Sequence, residues 1–235
     1  MIDFHSHILP GIDDGSADVR ESSALLTMLR EQGVKTVVAT PHFYPGRMSV
    51  SGFLERRKEA FERLCETETC PVPQILLGAE VRYYDGIRHM EDLELLCIEG
   101  SRVLLLEMPF EKWSEMTIKE VATLSRSSRV TVVLAHIERY ASYQDPNALY
   151  RLLESGVLMQ ANAGFFTGRF SRRRALGMLS QGLIHVIGSD CHNITSRPPQ
   201  IGRAAQIIEK RFGSECLDHI SEFTRDILCI SNINQ

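Results

Sequence analysis

The chain has 235 residues, 43% of them hydrophobic and 24% charged, with a net charge of -4 and a pI near 6.1. That composition suits one globular domain over residues 1–235 with a sizeable core, and it offers neither the basic footprint of a nucleic-acid binder nor a basic amphipathic helix for a membrane surface. No charged-then-apolar leader and no apolar stretch of spanning length occurs, and the six cysteines follow no repeating spacing, so a cytoplasmic protein with free thiols and no membrane insertion is expected.

Residues 1–4 read as a short buried strand leading into His5-Ser6-His7. Residues i and i+2 of a strand share a face, so the two imidazoles point the same way where the strand runs out. The next loop, with Pro10, Gly11 and Gly15, carries Asp13 and Asp14. Residues 18–33 set Val19, Leu25, Leu26, Met28 and Leu29 among charges and stop at a glycine, as helices do. The β-branched run 36–40 predicts a strand that delivers Pro41-His42. A loop with Pro45 and Gly46 then leads to an amphipathic helix over 51–68, closed by Pro71 and Pro73. Residues 75–79 predict a strand running into Glu80, and a helix over 90–97 precedes a strand at 103–106 that ends on Glu107. The strand 130–135 ends on His136, a helix spans 146–155, and the strand 157–161 ends on Asn162. After a basic helix at 171–181, the strand 184–188 ends on Ser189-Asp190-Cys191-His192, and residues 198–235 read as helical, packed outside or across the bottom. Seven near-continuous apolar strands alternating with helices imply an α/β fold with parallel pairing, and a barrel rather than two halves.

Position carries more weight than any one motif. His5, His7, His42, Glu80, Glu107, His136, Asp190 and His192 all sit at C-terminal ends of predicted strands, the face on which parallel α/β barrels carry their sites. Of the eight histidines, His89, His185 and His219 fall elsewhere and read as surface or packing residues. With Asp14 from the first loop the candidate donors number nine, enough for two or three ions with bridging carboxylates. Nitrogen and carboxylate donors suit manganese, iron or zinc, and the lack of cysteine pairs argues against a structural zinc.

The motifs Asp3-Phe4-His5-Ser6-His7, Asp13-Asp14-Gly15, Thr40-Pro41-His42, Leu77-Gly78-Ala79-Glu80-Val81, His136-Ile137-Glu138-Arg139-Tyr140, Asn162-Ala163-Gly164 and Ser189-Asp190-Cys191-His192-Asn193 together resemble the bacterial PHP-type tyrosine phosphatases of capsule and exopolysaccharide loci. The resemblance implies a distorted (β/α)7 barrel with three divalent ions, usually manganese, held by the nine positions above. It also implies hydrolysis of phosphotyrosine on a cognate bacterial tyrosine kinase, with Arg139 and Asp190 in catalytic roles. The loop Phe43-Tyr44-Pro45-Gly46-Arg47-Met48 departs from the family pattern, and it borders the substrate.

Chemistry leads to the same residues. A water made acidic by divalent ions attacks, and the ions clamp the oxygens of the phosphoryl group. A cation must also hold the equatorial oxygens, a task suited to the fork of Arg139, with Arg47 and Arg197 as weaker candidates. The alternative for Arg139 is a simple pair with Glu138. Arg172-Arg173-Arg174 reads as a solvated helix face. Cys191 to Arg197 fits the Cys-x5-Arg spacing of thiol phosphatases, but no glycine lies between them, so Cys191 reads as a small buried residue. Phe43, Tyr44, Phe165 and Phe166 are available to flank a phenol ring or to pack the barrel top. Competing functions are hydrolysis of histidinol phosphate or another small phosphomonoester, an amidohydrolase-like attack on carbon, and a non-catalytic barrel that binds a partner.

Overall fold

A computed structural model describes residues 1–67, 73–127 and 129–230. The expected alternation appears as β1 (Ile2–Ser6), α1 (Val19–Glu31), β2 (Thr36–Ala39), β3 (His42–Phe43), α2 (Val50–Thr67), β4 (Gln74–Leu77), β5 (Glu80–Arg82) and β6 (Val103–Glu107). It continues as α3 (Glu115–Arg126), β7 (Thr131–Leu134), α4 (Pro146–Glu154), β8 (Leu158–Asn162), α5 (Ala163–Thr167), α6 (Arg172–Ser180), β9 (Val186–Gly188), α7 (Ile201–Phe212) and α8 (Ser214–Ile227).

All strand pairings are parallel, in the orders β1-β2-β4 and β3-β5-β6-β7-β8-β9. The two sets belong to the same curled sheet. Pro41, which has no N–H to give a ladder, interrupts the stave that β2 begins and β3 resumes. Gly78-Ala79 does the same between β4 and β5, where Gly78 N donates to Ala39 O at 2.8 Å and Glu80 N to Pro41 O at 3.0 Å. The curl brings the first strand to the last. Ser6 bridges Cys191, Asp190 N donates to His5 O at 2.8 Å, and His7 N donates to Cys191 O at 3.0 Å.

Alternate strand residues divide the interior into two clusters. One set, including Leu104, Leu106, Val132 and Leu134, packs with the helices. The other, including Phe4, Val38, Leu76, Leu105, Val133 and Val186, draws its α-helical neighbours Phe223 and Ile227 from α8, so α8 lies across the N-terminal ends of the strands. That leaves the C-terminal ends open for the site.

Local differences from expectation have local causes. Residues 90–97 form no α-helix but hold a 3-10 turn at Leu93–Leu96, with another just before them at Ile87–His89, and these bury Ile87, Leu93 and Leu96. No element was expected between Glu107 and Val130, yet α3 forms there, capped by Ser114 Oγ accepting from Thr117 N at 3.1 Å and burying Ile118, Val121, Ala122 and Leu124. The expected helical tail is α7 and α8, broken at Gly213 with φ 87; residues 231–235 and Glu68 lie outside the described residues.

Candidate metal centre

Every stave but β8, which ends on Asn162, brings a donor to this end of the sheet. His5 is the last residue but one of β1 with His7 just beyond the strand, His42 opens β3, Glu80 opens β5, Glu107 ends β6, His136 follows β7, and Asp190 and His192 follow β9. Asp14 reaches in from the β1–α1 loop. All nine expected donors meet. His7, Asp14, His42 and His192 form one group, His5, His7 and Asp190 a second, and His42, Glu80 and Glu107 a third, each with donor atoms within 4.8 Å of one another. His136 Nε2 joins the third at 2.7 Å from Glu80 Oε1 and 3.6 Å from Glu107 Oε1. Glu80 Oε2 is the hub, 3.0 Å from His42 Nδ1 and 3.3 Å from both His5 Nε2 and His7 Nε2.

The outer nitrogens are held by acceptors to which the sequence assigned no such role. His7 Nδ1 donates to Asp13 Oδ2 at 2.7 Å, His5 Nδ1 to Gln160 Oε1 at 3.2 Å, and His192 Nδ1 to the Asp190 carbonyl at 3.0 Å. Donating through Nδ1 leaves the Nε2 of each neutral ring as a lone pair. The Nε2 atoms of His5 and His7 then face one another at 3.0 Å, where two lone pairs repel unless a cation or a proton lies between them. Glu80 Oε2, His42 Nδ1 and His192 Nε2 are buried without a hydrogen-bond partner. The donor set therefore fits divalent ions.

Protonation in the metal-free chain follows the same charges. Burial pulls His7 down, but Asp13 and Glu80 reverse this and hold its pKa well above the ordinary value; Glu80 and Asp190 do the same, more weakly, for His5. Burial would raise Glu80, Asp13 and Asp190, yet the surrounding imidazoles keep all three below the usual carboxylate range.

Backbone geometry is specialised here too. His136 (φ 31) and Asp190 (φ 52) occupy the left-handed region at two strand ends, a conformation that costs about 1–3 kcal/mol for such residues. Glycine is required at two contacts: a Cβ on Gly188 would lie 2.5 Å from His5 Cβ, and one on Gly15 would lie 2.4 Å from His7 O.

Arginines rim the cluster. Arg139 Nη2 pairs with Asp190 Oδ2, and so does Arg197 Nη2 at 2.7 Å; Asn162 Nδ2 donates to the same oxygen at 2.7 Å. The close ion pair of Arg139 is thus with Asp190 rather than with Glu138, whose carboxyl burial pushes up to about 7 and which accepts from Asn162 N at 3.4 Å. Arg197, a weaker candidate in the sequence, holds the same Asp190 oxygen as Arg139. Arg82 pairs with Glu107 at 2.8 Å.

Cys191 is fully buried in the core, and burial pushes its thiol far up, against a thiolate nucleophile. Phe43, Phe165 and Phe166 are buried in the core; Phe43, edge-on to Phe53 at 5.2 Å, also lines the cavity beside His42. Tyr44 is half-buried, 5.2 Å from the His42 ring. Phe110, unnoticed in the sequence because it follows Pro109 outside any periodic pattern, is 42% exposed and stacks on His136 at 5.7 Å under the Arg82 guanidinium.

Comparison with known proteins agrees with this layout. A family model for capsular polysaccharide synthesis, CpsB/CapC, matches residues 1–227. Tyrosine-protein phosphatase CpsB of Streptococcus pneumoniae is 33% identical over 227 residues, covering 92% of both chains. Tyrosine-protein phosphatase YwqE of Bacillus subtilis is 31% identical over 222 residues, 92% of this chain and 86% of its own. A solved structure from work on YwqE and CpsB, described as unique metal-dependent tyrosine phosphatases, superposes with TM-score 0.84 at 28% identity over 100% of this chain and 96% of that one. With the family model spanning all nine donors and both arginines, the chain belongs to the CpsB/CapC family of capsular polysaccharide synthesis.

Proposed function

We propose that this chain is a metal-dependent protein-tyrosine phosphatase acting in the cytoplasm on a cognate bacterial tyrosine kinase that controls capsular or exopolysaccharide synthesis. The observation that carries the reading is the set of inward-facing lone pairs with two guanidiniums on the same carboxylate beside it. His5, His7, Asp14, His42, Glu80, Glu107, His136, Asp190 and His192 would hold the ions, and three overlapping donor groups support three of them, with manganese first and iron or zinc also compatible. Divalent ions supply an acidified water and neutralise phosphoryl charge.

The chain's own residues do the rest. Asp190 turns Oδ1 to the imidazoles of His5 and His7, at 3.7 and 3.5 Å, and Oδ2 to Arg139 and Arg197. Each guanidinium keeps further N–H donors for the equatorial phosphoryl oxygens, where charge spreads in the transition state. Tyr44 and Phe110 stand on the rim beside His42 and His136, available to flank a phenol ring.

The test is turnover of a phosphotyrosine peptide against histidinol phosphate, with chelator and with added manganese. The reading expects peptide turnover that chelation abolishes and manganese restores. Arg139→Ala should depress both substrates alike, whereas Tyr44→Ala or Phe110→Ala should cost more on the aryl substrate. A preference for histidinol phosphate would instead assign a small-phosphomonoester phosphatase.

A further inference from the structure

A cavity of about 570 Å³ opens beside the donor cluster, lined by Asp14 and His42 and, outward, by Tyr44, Arg47, Met48 and Arg56. Its cationic wall is built by a turn. Arg47 N donates to Tyr44 O at 3.1 Å around Pro45 and Gly46, and Gly46 has φ +86 with open space around its Cβ position. Proline first and a left-handed glycine second are the requirements of a type II turn. The turn folds Arg47 back so that its guanidinium carbon lies 4.8 Å from the centroid of the Tyr44 ring. Stacking uses the face of the guanidinium and leaves its in-plane N–H donors free. From α2, Arg56 Nη2 donates to Ile12 O at 3.3 Å, which holds a second cation on the same cavity.

Among the described residues neither arginine meets a carboxylate. The two acids that share the lining are committed elsewhere: Asp13 accepts from His7 Nδ1, His42 N and Gly15 N, and Asp14 faces His42 Nε2 at 3.3 Å and His192 Nε2 at 3.6 Å. Two oriented, unpaired guanidiniums thus stand over a partly apolar cavity, on a chain whose net charge is -4.

We propose that this cavity receives the residue flanking the substrate phosphotyrosine and selects an acidic one, whose carboxylate takes the free donors of Arg47, with Arg56 as the second cation. The proposal rests on the phosphotyrosine reading above and deepens it. A phosphate seated among the donors that include Asp14 and His42 puts the neighbouring stretch of an extended peptide over the same lining. A basic residue there meets two like charges.

The test is kcat/KM for three phosphotyrosine peptides that differ only in the flanking residues, glutamate, glutamine or lysine, using the full chain supplied with manganese. The wild type should prefer the glutamate peptide over the glutamine peptide by about five- to tenfold, carried mainly in KM and shrinking as salt is raised. Arg47→Gln should bring the ratio below about twofold, and Arg47→Glu should invert it towards lysine. Equal kcat/KM on all three peptides in the wild type, or a glutamate preference that persists in the Arg47→Glu, Arg56→Glu double variant, overturns the assignment. A uniform loss on all three in Arg47→Gln also overturns it, by making Arg47 a phosphate-binding group. Absence of turnover on every peptide removes the functional reading along with this one, whereas turnover without flank preference removes this one alone.

Discussion

Asp13 and Asp14 are adjacent, chemically alike and oppositely employed. Asp14 points at two imidazole Nε2 atoms, while Asp13 sits behind His7 and accepts from its Nδ1 at 2.7 Å. A carboxylate behind a ligating histidine fixes its tautomer and raises its basicity, and its loss typically costs ten- to a hundredfold in metal affinity or activity. Asp13→Ala should therefore lower manganese affinity by about ten- to a hundredfold by calorimetry, with secondary structure unchanged by circular dichroism; unaltered affinity would show that His7 needs no such support. The candidate donors other than Asp14 were legible in the sequence because they lie at the ends of apolar runs and a strand end has only one open face. Phe110 was not, and Asp13 and Arg197 were noticed without the roles they take, one behind His7 and one on Asp190, because a loop has no periodicity to tell which neighbour points inward.

Glycines show at the scale of elements how one substitution can carry opposite signs. Gly188 of β9 lies so close to β1 that an added Cβ would meet His5 Cβ at 2.5 Å and His5 N at 2.8 Å, whereas Gly177 inside α6 has open space and helical backbone. Gly188→Ala should cost about 1–3 kcal/mol by overpacking and weaken metal binding by displacing His5. Gly177→Ala should gain roughly 0.5–1 kcal/mol through helix propensity. Denaturant titrations of both variants check the pair, and equal shifts would contradict it. Strands were easier to read than helices for a related reason. A strand buried on both faces needs an unbroken apolar run, as in Val103 to Leu106 of β6, while α3 buries only Ile118, Val121, Ala122 and Leu124 of its length and leaves the rest charged or polar apart from the exposed Met116. The sequence 87–96 has enough leucine and glutamate for a helix, but Gly86, with φ 95, and the burial of Ile87, Leu93 and Leu96 favour tighter turns.

For the whole molecule, the site is a concentration of charge that ions would neutralise. In the metal-free chain His5 and His7 have raised pKa values, so their stabilising charge is fully present below the ordinary histidine value near 6.5 and is lost as pH rises through the raised ones. Metal must displace those protons, so the ions bind more tightly as pH rises. Manganese should therefore raise Tm more at pH 8 than at pH 6. Saturation at a hundred times Kd contributes about 2.7 kcal/mol, or roughly 5–10 °C for a chain of this size. Scanning calorimetry with chelator or manganese at the two pH values checks this, and a gain that is larger at pH 6 would reverse the assignment of protons to His5 and His7. The closure of the sheet also bears on how the molecule is made. Asp3 accepts from Ser189 across 186 residues of sequence, and the donors on β1 face those that follow β9. During synthesis at about 5–20 residues per second, the first strand emerges roughly ten to forty seconds before the segment that completes its site. Until then a nascent chain carries His5 and His7 with neither Asp190 nor His192 opposite them, so assembly of the centre waits for β9 and the segment that follows it, and a ribosome stalled in the helices before β9 would present a nearly complete sheet with an edge still open and no competent site.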